Sequence, residues 1–149
     1  MDSIKILVIN GPNLNLLGVR EKNIYGSLNL EEMNKKIQEE FKHSNVEIEF
    51  FQSNMEGEII TKIGNSIGNF SGIVINPGAY SHYSIGILDA IRSIDIPVVE
   101  VHLTNIYNRE EYRRKSVTAE GCKGIISGFG YYGYIMAIHA LLDSILNNN

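Results

Sequence analysis

The chain has 149 residues, of which 44 % are apolar and 20 % are charged, a composition typical of one soluble globular domain. This length excludes a (β/α)8 barrel, which needs about 250 residues, and the net charge of −4 argues against a nucleic-acid-binding protein. Cys122 is the single cysteine, which favours a reducing compartment. No signal-peptide pattern and no apolar run of roughly 18 residues is present, so we expect one cytoplasmic domain over residues 1–149, without membrane contact.

Strand patterns and helix patterns alternate along the chain. Short runs of β-branched or alternating residues predict five strands, at Ile4–Asn10, Val46–Phe51, Gly72–Asn76, Val98–Leu103 and Gly124–Ser127. Helical spacing predicts four helices. The first spans Leu30–Lys42 and is capped by Asn29, and the second is marked by Ile59, Ile60, Ile63 and Ile67. The third spans His82–Ile94, with Ile85, Leu88, Ala90 and Ile91 facing inward, and the fourth spans Tyr134–Leu146. This alternation predicts an α/β fold, a flavodoxin-like doubly wound five-stranded parallel sheet with helices on both faces.

Polar side chains follow the carboxyl ends of the predicted strands, where open parallel sheets bind their ligands. The stretch Gly11–Ser27 is longer than the usual connection of about 2–6 residues, which favours a functional lid. The polar residues at this edge are Asn13, Asn15, Arg20, Glu21, Tyr25, Asn76, His82, Glu100, His102 and the segment Thr104–Ser116.

Glu100 and His102 are two residues apart in a predicted strand, so their side chains point to the same face. A buried glutamate and a buried histidine are costly unless they are paired, so we expect the carboxylate to orient the ring and stabilise its charged form. This makes His102 a candidate general acid. The alternative is a histidine with a structural role at the strand end.

Tyr25 could act as a base only with help, because a phenol ordinarily ionises near pH 10. Arg20 lies five residues earlier on the same loop, and a close guanidinium favours the phenolate. The alternative is that Tyr25 anchors the lid by packing while Arg20 is solvated, and spacing alone favours this alternative.

Four arginines belong to this edge, at positions 20, 109, 113 and 114, and their charge suits a small anionic substrate. The alternative is a solvated face on which Glu110 pairs with Arg114. We expect Arg113 to point inward, with Arg109 and Arg114 outside.

Other motifs are weaker. Gly128, Gly130 and Gly133 spell G-x-G-x-x-G, but no strand with an acidic residue follows about 20 positions on, so a tight strand–helix turn is preferred to a dinucleotide site. The histidines lack metal-ligand spacing, and Cys122 has no activating neighbour. These residues therefore predict neither a metal site nor a dinucleotide site.

Four segments together resemble the signature of the type II 3-dehydroquinate dehydratases, namely INGPNLNLLGVRE (Ile9–Glu21), INPGAYSH (Ile75–His82), EVHLTN (Glu100–Asn105) and REEYRR (Arg109–Arg114). The resemblance covers essentially the whole chain. It implies dehydration of 3-dehydroquinate to 3-dehydroshikimate by anti elimination through an enolate, without metal or cofactor, in the shikimate pathway of aromatic amino acid biosynthesis. It also implies a homododecamer, a tetramer of trimers.

The resemblance further implies a role for each site residue. Tyr25 would remove the C2 proton with the help of Arg20, and Asn13 would hold the water that stabilises the enolate. His102, oriented by Glu100, would protonate the departing C1 hydroxyl. The substrate-binding groups would be Asn76 and the backbone amides of Leu103 and Thr104 for the carboxylate, His82 and Arg113 for ring hydroxyls, and Asp89 reaching in from a neighbouring subunit.

Two positions depart from the family pattern. Lys22 follows Glu21 where proline is usual, so we expect a more mobile lid. Tyr83 follows His82 where threonine is more usual, so we expect altered packing beside the ring-hydroxyl pocket.

Two other functions compete with this one. A flavodoxin-like protein that binds flavin mononucleotide (FMN) would share the fold, but the loop after the first strand lacks a Ser/Thr-rich phosphate cradle. A non-catalytic assembly protein would keep the fold and would be unaffected by Tyr25→Phe.

Overall fold

The computed structural model describes residues 3–147. Within this range five strands form an all-parallel sheet in the order β2-β1-β3-β4-β5. They are β1 (Ile4–Asn10), β2 (Val46–Gln52), β3 (Gly72–Asn76), β4 (Val98–His102) and β5 (Gly124–Ser127). The predicted strands are confirmed, and so is the predicted five-stranded parallel sheet.

Helices cover both faces of this sheet, as predicted. The helices that cover it are α2 (Leu30–Glu40), α3 (Glu56–Gly64), α4 (Ile85–Arg92) and α5 (Tyr132–Asn147), while α1 (Lys22–Tyr25) is a single turn in the loop after β1. Successive strand residues point to opposite faces, so Ile6 and Val8 of β1 pack with α2 and α5, while Leu7 and Ile9 pack with α3 and α4. The result is a doubly wound α/β sandwich whose central strands β1, β3 and β4 are buried. Among residues 3–147, none of the helices has the length and apolar character to span a membrane.

The helix predicted over His82–Ile94 is shorter in the structure. His82 ends a 3-10 turn at Gly78–His82, and α4 begins only at Ile85, where the Ser84 hydroxyl accepts a hydrogen bond from the Ile87 amide. The expectation that Ile85 faces the core is wrong. The buried stripe of α4 is Ile87, Leu88 and Ile91, and Ile85, two residues before Ile87, lies on the other side of the helix and is 56 % exposed.

The second helix also ends earlier than its apolar spacing predicts. Helix α3 stops at Gly64, and Ile67 lies beyond it with its side chain exposed. By contrast, the predicted cap of α2 is confirmed, because the Asn29 side chain accepts a hydrogen bond from the Glu32 amide.

The G-x-G-x-x-G glycines form the tight turn from β5 into α5 that the sequence favours. Gly128 has a φ of +105°, and an added Cβ there would lie 3.2 Å from Asn105 Cβ. Both the left-handed backbone and the close approach therefore require glycine.

Candidate active site

A cleft opens at the carboxyl ends of β1, β3 and β4. Most of the predicted site residues line it, namely Asn13, Arg20, Tyr25, Asn76, His82, His102, Leu103, Thr104 and Arg113. Glu100 is fully buried and hydrogen-bonded to His102. Asp89 is exposed on α4 and is not part of the lining of the cleft of its own chain.

Gly11 brings the loops after β1 and β3 together. Its amide donates to the Asn76 carbonyl over 2.8 Å, and an added Cβ would lie 2.5 Å from the Pro77 carbonyl oxygen. Only glycine permits this approach. The contact places Asn13, which follows on the first loop, in the same cleft as Asn76.

Asn13 is held in a left-handed conformation, with a φ of +67°, which asparagine tolerates better than most residues. Its backbone amide donates to the Asn54 side-chain oxygen over 2.9 Å. In turn, the Tyr80 hydroxyl donates to the Asn54 carbonyl over 2.6 Å. Asn54 was not among the predicted site residues, because it follows β2 and reaches the cleft edge only through the fold.

The predicted hydrogen bond between His102 and Glu100 is confirmed. His102 Nε2 donates to Glu100 Oε2 over 2.7 Å, which leaves Nδ1 as the second ring nitrogen. Glu100 also accepts hydrogen bonds from the Ser116 and Thr118 hydroxyls. A buried carboxylate is tolerated when several donors satisfy it, so these hydroxyls hold the group that orients the histidine.

The Tyr25 hydroxyl faces two guanidinium groups. Arg20 Nη2 lies 3.5 Å from the phenol oxygen, and Arg109 Nη1 and Nη2 each lie 3.3 Å from it. The guanidinium carbons lie 4.7 Å and 5.4 Å from the ring centroid, Arg20 being the closer. Arg109 also donates to the Thr104 hydroxyl over 3.1 Å. Two positive charges therefore stand where a phenolate would form.

The expectation that Arg109 lies outside is wrong. The segment after β4 forms two separate 3-10 turns, Ile106–Asn108 and Glu111–Arg113, and Arg109 lies between them with extended backbone. This break turns the Arg109 side chain into the cleft. The Asn105 side chain accepts from the Tyr107 amide, and asparagine at this position is the sequence signal that could have predicted the turn.

The pairing of Glu110 with Arg114, which belonged to the solvated-face alternative, is not formed. Glu110 accepts instead from Arg113 Nε, which lowers the pKa of this carboxyl, and Arg114 Nε donates to the Arg109 carbonyl over 2.9 Å. The short turn at this segment places residues three apart on the same side. Arg113 lines the cleft and Arg114 remains exposed, as expected.

His82 presents one defined ring nitrogen to the cleft. Its Nδ1 lies 2.7 Å from the Lys115 carbonyl oxygen, and because a carbonyl only accepts, Nδ1 carries the proton of that hydrogen bond. Nε2 is then the nitrogen that remains for a ligand. Tyr83, the neighbouring departure from the family pattern, is exposed and packs edge-on against Tyr80.

Asn76 ends β3 and is almost fully buried. Its Oδ1 accepts from the Gly78 amide over 3.1 Å, and its Nδ2 donates to the Tyr134 hydroxyl over 2.9 Å. Tyr134 belongs to α5 and was not predicted as a site residue. Its place in an apolar helix stripe indicates only a core position.

Cys122 lies outside this cleft. Burial raises the pKa of its thiol, and the Glu100 carboxylate adds to the effect. The thiol is therefore a poor nucleophile, in agreement with the sequence analysis. Within residues 3–147, no group of three or more histidine, cysteine, aspartate or glutamate side chains is placed to hold a metal ion.

The arrangement supplies the groups that proton transfer next to a carbonyl requires. Tyr25 with two arginines is a candidate base, and His102 backed by a carboxylate is a candidate acid. Amide and guanidinium donors at Asn13, Asn76 and Arg113 can stabilise negative charge. This combination fits an elimination from a small anion.

Comparison with known proteins identifies the family of this chain. The Dehydroquinase class II family matches residues 4–142. The chain is 66 % identical over 144 residues to a 3-dehydroquinate dehydratase of Clostridium botulinum (strain Langeland), covering 97 % of this chain and 95 % of that protein. It is 59 % identical over 143 residues to a 3-dehydroquinate dehydratase of Clostridium perfringens, covering 95 % and 99 %.

Solved structures of the same family superpose closely on this chain. A type II dehydroquinase from Butyrivibrio crossotus superposes with a TM-score of 0.92 at 55 % identity, over 94 % of this chain and 98 % of that one. A type II dehydroquinase from Propionibacterium acnes superposes with a TM-score of 0.90 at 38 % identity, over 94 % and 97 %. The FMN-binding alternative finds no support in these comparisons. The chain therefore belongs to the class II dehydroquinase family of enzymes.

Proposed function

We propose that residues 1–149 form one type II dehydroquinase domain that dehydrates 3-dehydroquinate to 3-dehydroshikimate in the shikimate pathway. The observation that carries the mechanism is the Tyr25 hydroxyl facing two guanidinium groups in the same cleft as the His102–Glu100 pair. The reaction breaks a C2–H bond and the C1–O bond, forms the C1–C2 double bond and releases water. It is redox-neutral, so atoms and electrons balance without an oxidant or a reductant.

Tyr25 acts as the base in this proposal. The guanidinium groups of Arg20 and Arg109 stabilise the phenolate, which takes the C2 proton. The electrons left at C2 move onto the adjacent carbonyl and form an enolate. A water held by Asn13 stabilises the enolate oxygen, because a preorganised donor favours developing negative charge.

His102 acts as the acid. Glu100 binds Nε2, so Nδ1 is the nitrogen that delivers a proton to the departing C1 hydroxyl, which leaves as water. The buried carboxylate stabilises the charged imidazolium and holds the ring in one orientation. This order of events is an elimination in two steps, with proton removal before loss of water.

The remaining residues bind the substrate. Asn76 and the backbone amides of Leu103 and Thr104 hold the carboxylate, while His82 Nε2 and Arg113 bind ring hydroxyls. Asp89 is exposed on α4, and in this proposal it completes the site of a neighbouring subunit. A homododecamer built as a tetramer of trimers supplies that neighbour.

The deciding experiment is the ultraviolet absorbance of the conjugated enone when purified protein meets 3-dehydroquinate, with chelator present. We expect the absorbance to rise with the wild type and with Tyr132→Phe, which removes an exposed hydroxyl outside the cleft, and to stay flat with Tyr25→Phe. A flat trace from folded wild-type protein would overturn the proposed activity. A titration with FMN would then test the flavin-binding alternative.

A further inference from the structure

A buried chain of three side chains joins the ends of β1 and β3 to helix α5. The Tyr134 hydroxyl donates to Asn10 Oδ1 over 2.6 Å and accepts from Asn76 Nδ2 over 2.9 Å. Tyr134 is fully buried, and Asn10 and Asn76 are nearly so. Of these three residues only Asn76 lines the cleft, so Tyr134 can influence a ligand only through Asn76.

The Gly78 amide and the single phenol proton together determine the direction of these hydrogen bonds, because a backbone N–H can only donate and therefore requires Asn76 Oδ1. A phenol has one proton, and burial raises the pKa of Tyr134, so the proton is retained. That proton goes to Asn10 Oδ1, which leaves only lone pairs of the hydroxyl oxygen facing Asn76. Asn76 must therefore present its NH2 group to Tyr134, while its Oδ1 accepts from the Gly78 amide.

This double constraint prevents the Asn76 amide from rotating by half a turn. In the rotated orientation Oδ1 would face the lone pairs of Tyr134, and Nδ2 would face the Gly78 N–H, so both hydrogen bonds would be lost inside the protein. In the orientation that the network enforces, Nδ2 keeps one further N–H for the cleft.

We propose that Tyr134 is a positioning residue for substrate binding, which fixes the Asn76 amide so that an N–H, and not the carbonyl oxygen, is available to the substrate carboxylate. This inference rests on the proposed function, in which Asn76 binds that carboxylate. Asn10 contributes to this positioning, because it accepts the phenol proton and so keeps that proton away from Asn76.

The test is Tyr134→Phe, with steady-state kinetics on 3-dehydroquinate. We expect KM to rise about tenfold, the size expected when one hydrogen bond to a charged group is lost, while kcat changes less than about twofold, because proton transfer at Tyr25 and His102 is untouched. Tyr131→Phe, which removes a hydroxyl from a half-buried tyrosine beside the same helix, serves as the matched control and leaves KM unchanged.

A double-mutant cycle separates positioning from general loosening of the fold. In the Asn76→Ala background, Tyr134→Phe is expected to change KM by less than about twofold, because the residue through which it acts is gone. An equal effect of Tyr134→Phe in both backgrounds would overturn the inference. So would a fall in kcat with no change in KM.

A second variant keeps the inference testable if Tyr134→Phe does not fold. Asn10→Ala leaves the phenol in place but releases its proton, which can then be donated to a rotated Asn76. Because Asn10 is outside the cleft, a rise in KM of the same size supports the positioning of Asn76 through Tyr134, and an unchanged KM contradicts it. If the wild type is active and both variants have the wild-type KM, this inference alone is overturned. If the wild type itself shows no turnover, the proposed function on which the inference rests is overturned.

Discussion

Both terminal nitrogens of Arg109 lie 3.3 Å from the Tyr25 hydroxyl oxygen, although the two residues are 84 positions apart. Arg20 approaches the same oxygen from within the loop that carries Tyr25. The candidate base is therefore held between its own loop and the segment after β4. A planar guanidinium that offers two donors to one oxygen is a geometry that lysine cannot reproduce.

Arg109→Lys is expected to lower kcat at least about tenfold, because the charge remains but the paired donors to Tyr25 are lost. Turnover of 3-dehydroquinate measures the effect. Arg92→Lys, at an exposed position on α4, is the matched control and should retain full activity. A variant with wild-type kcat would show that Arg109 only packs against the tyrosine.

Tyr25→Phe and His102→Ala are each expected to reduce turnover below detection while the fold is retained. Each substitution removes one of the two groups proposed to transfer protons. Tyr25→Phe keeps the ring that packs at the edge of one core cluster, and His102 belongs to neither cluster. Enone absorbance measures turnover, and circular dichroism with thermal melting measures the fold. Activity near the wild-type level in either variant is incompatible with its assigned role.

Thr118→Val is expected to weaken both stability and catalysis. The substitution removes a hydroxyl that donates to the buried Glu100 carboxylate, at a cost of about 1–3 kcal/mol in unfolding free energy. Because Glu100 orients His102, kcat should fall as well. Urea unfolding and steady-state kinetics are the measurements, and Thr61→Val on the exposed side of α3 is the control. A loss of stability with unaltered kcat would limit Thr118 to a structural role.

Asp89→Ala is expected to lose activity without losing its fold, since the side chain is exposed and lies outside the cleft of its own chain. Mixing it with Tyr25→Phe subunits under conditions that allow exchange tests whether the site is shared. Random assembly would pair an intact Tyr25 with an intact neighbouring Asp89 at roughly a quarter of the sites. Activity should therefore reappear in the mixture. A fully active monomer, or a mixture that stays inactive, would refute the shared site.

Cys122 is expected to lower the free energy of unfolding as the pH rises into the alkaline range. Its thiol pKa is raised in the folded protein, so above about pH 8.5 the unfolded chain loses this proton first, and folding stability falls as the pH rises. The slope is at most about 1.4 kcal/mol per pH unit. Urea unfolding between about pH 8 and pH 9.5 should show a steeper loss for the wild type than for Cys122→Ala. Equal slopes would contradict the shift.

The strands were predictable because runs such as Ile4–Asn10 and Gly72–Asn76 are short, rich in β-branched residues and buried on both faces. The start of α4 was not, because the apolar spacing continues through Ser84 and conceals its cap. Helix periodicity reports which face is apolar, whereas the first residue of a helix depends on one local hydrogen bond.

The candidate site divides in the same way. Tyr25, His102 and Asn76 follow from their positions at strand ends and in a long loop, together with the family signature. The inward orientation of Arg109 could not be predicted, because it depends on a break between two 3-10 turns. Tyr134 was concealed because its hydrogen-bond partners are 58 and 124 positions away, a distance at which sequence spacing carries no information.

The close contact between Gly11 and Pro77 couples the position of the loop after β1 to that of the loop after β3. A methyl group added at position 11 would push apart the loop that carries Asn13 and the loop that follows Asn76, although neither asparagine would itself be altered. The enolate stabilisation proposed for Asn13 and the carboxylate binding proposed for Asn76 would then weaken together. A displacement of either loop would therefore displace the other, so the two proposed roles depend on the same contact.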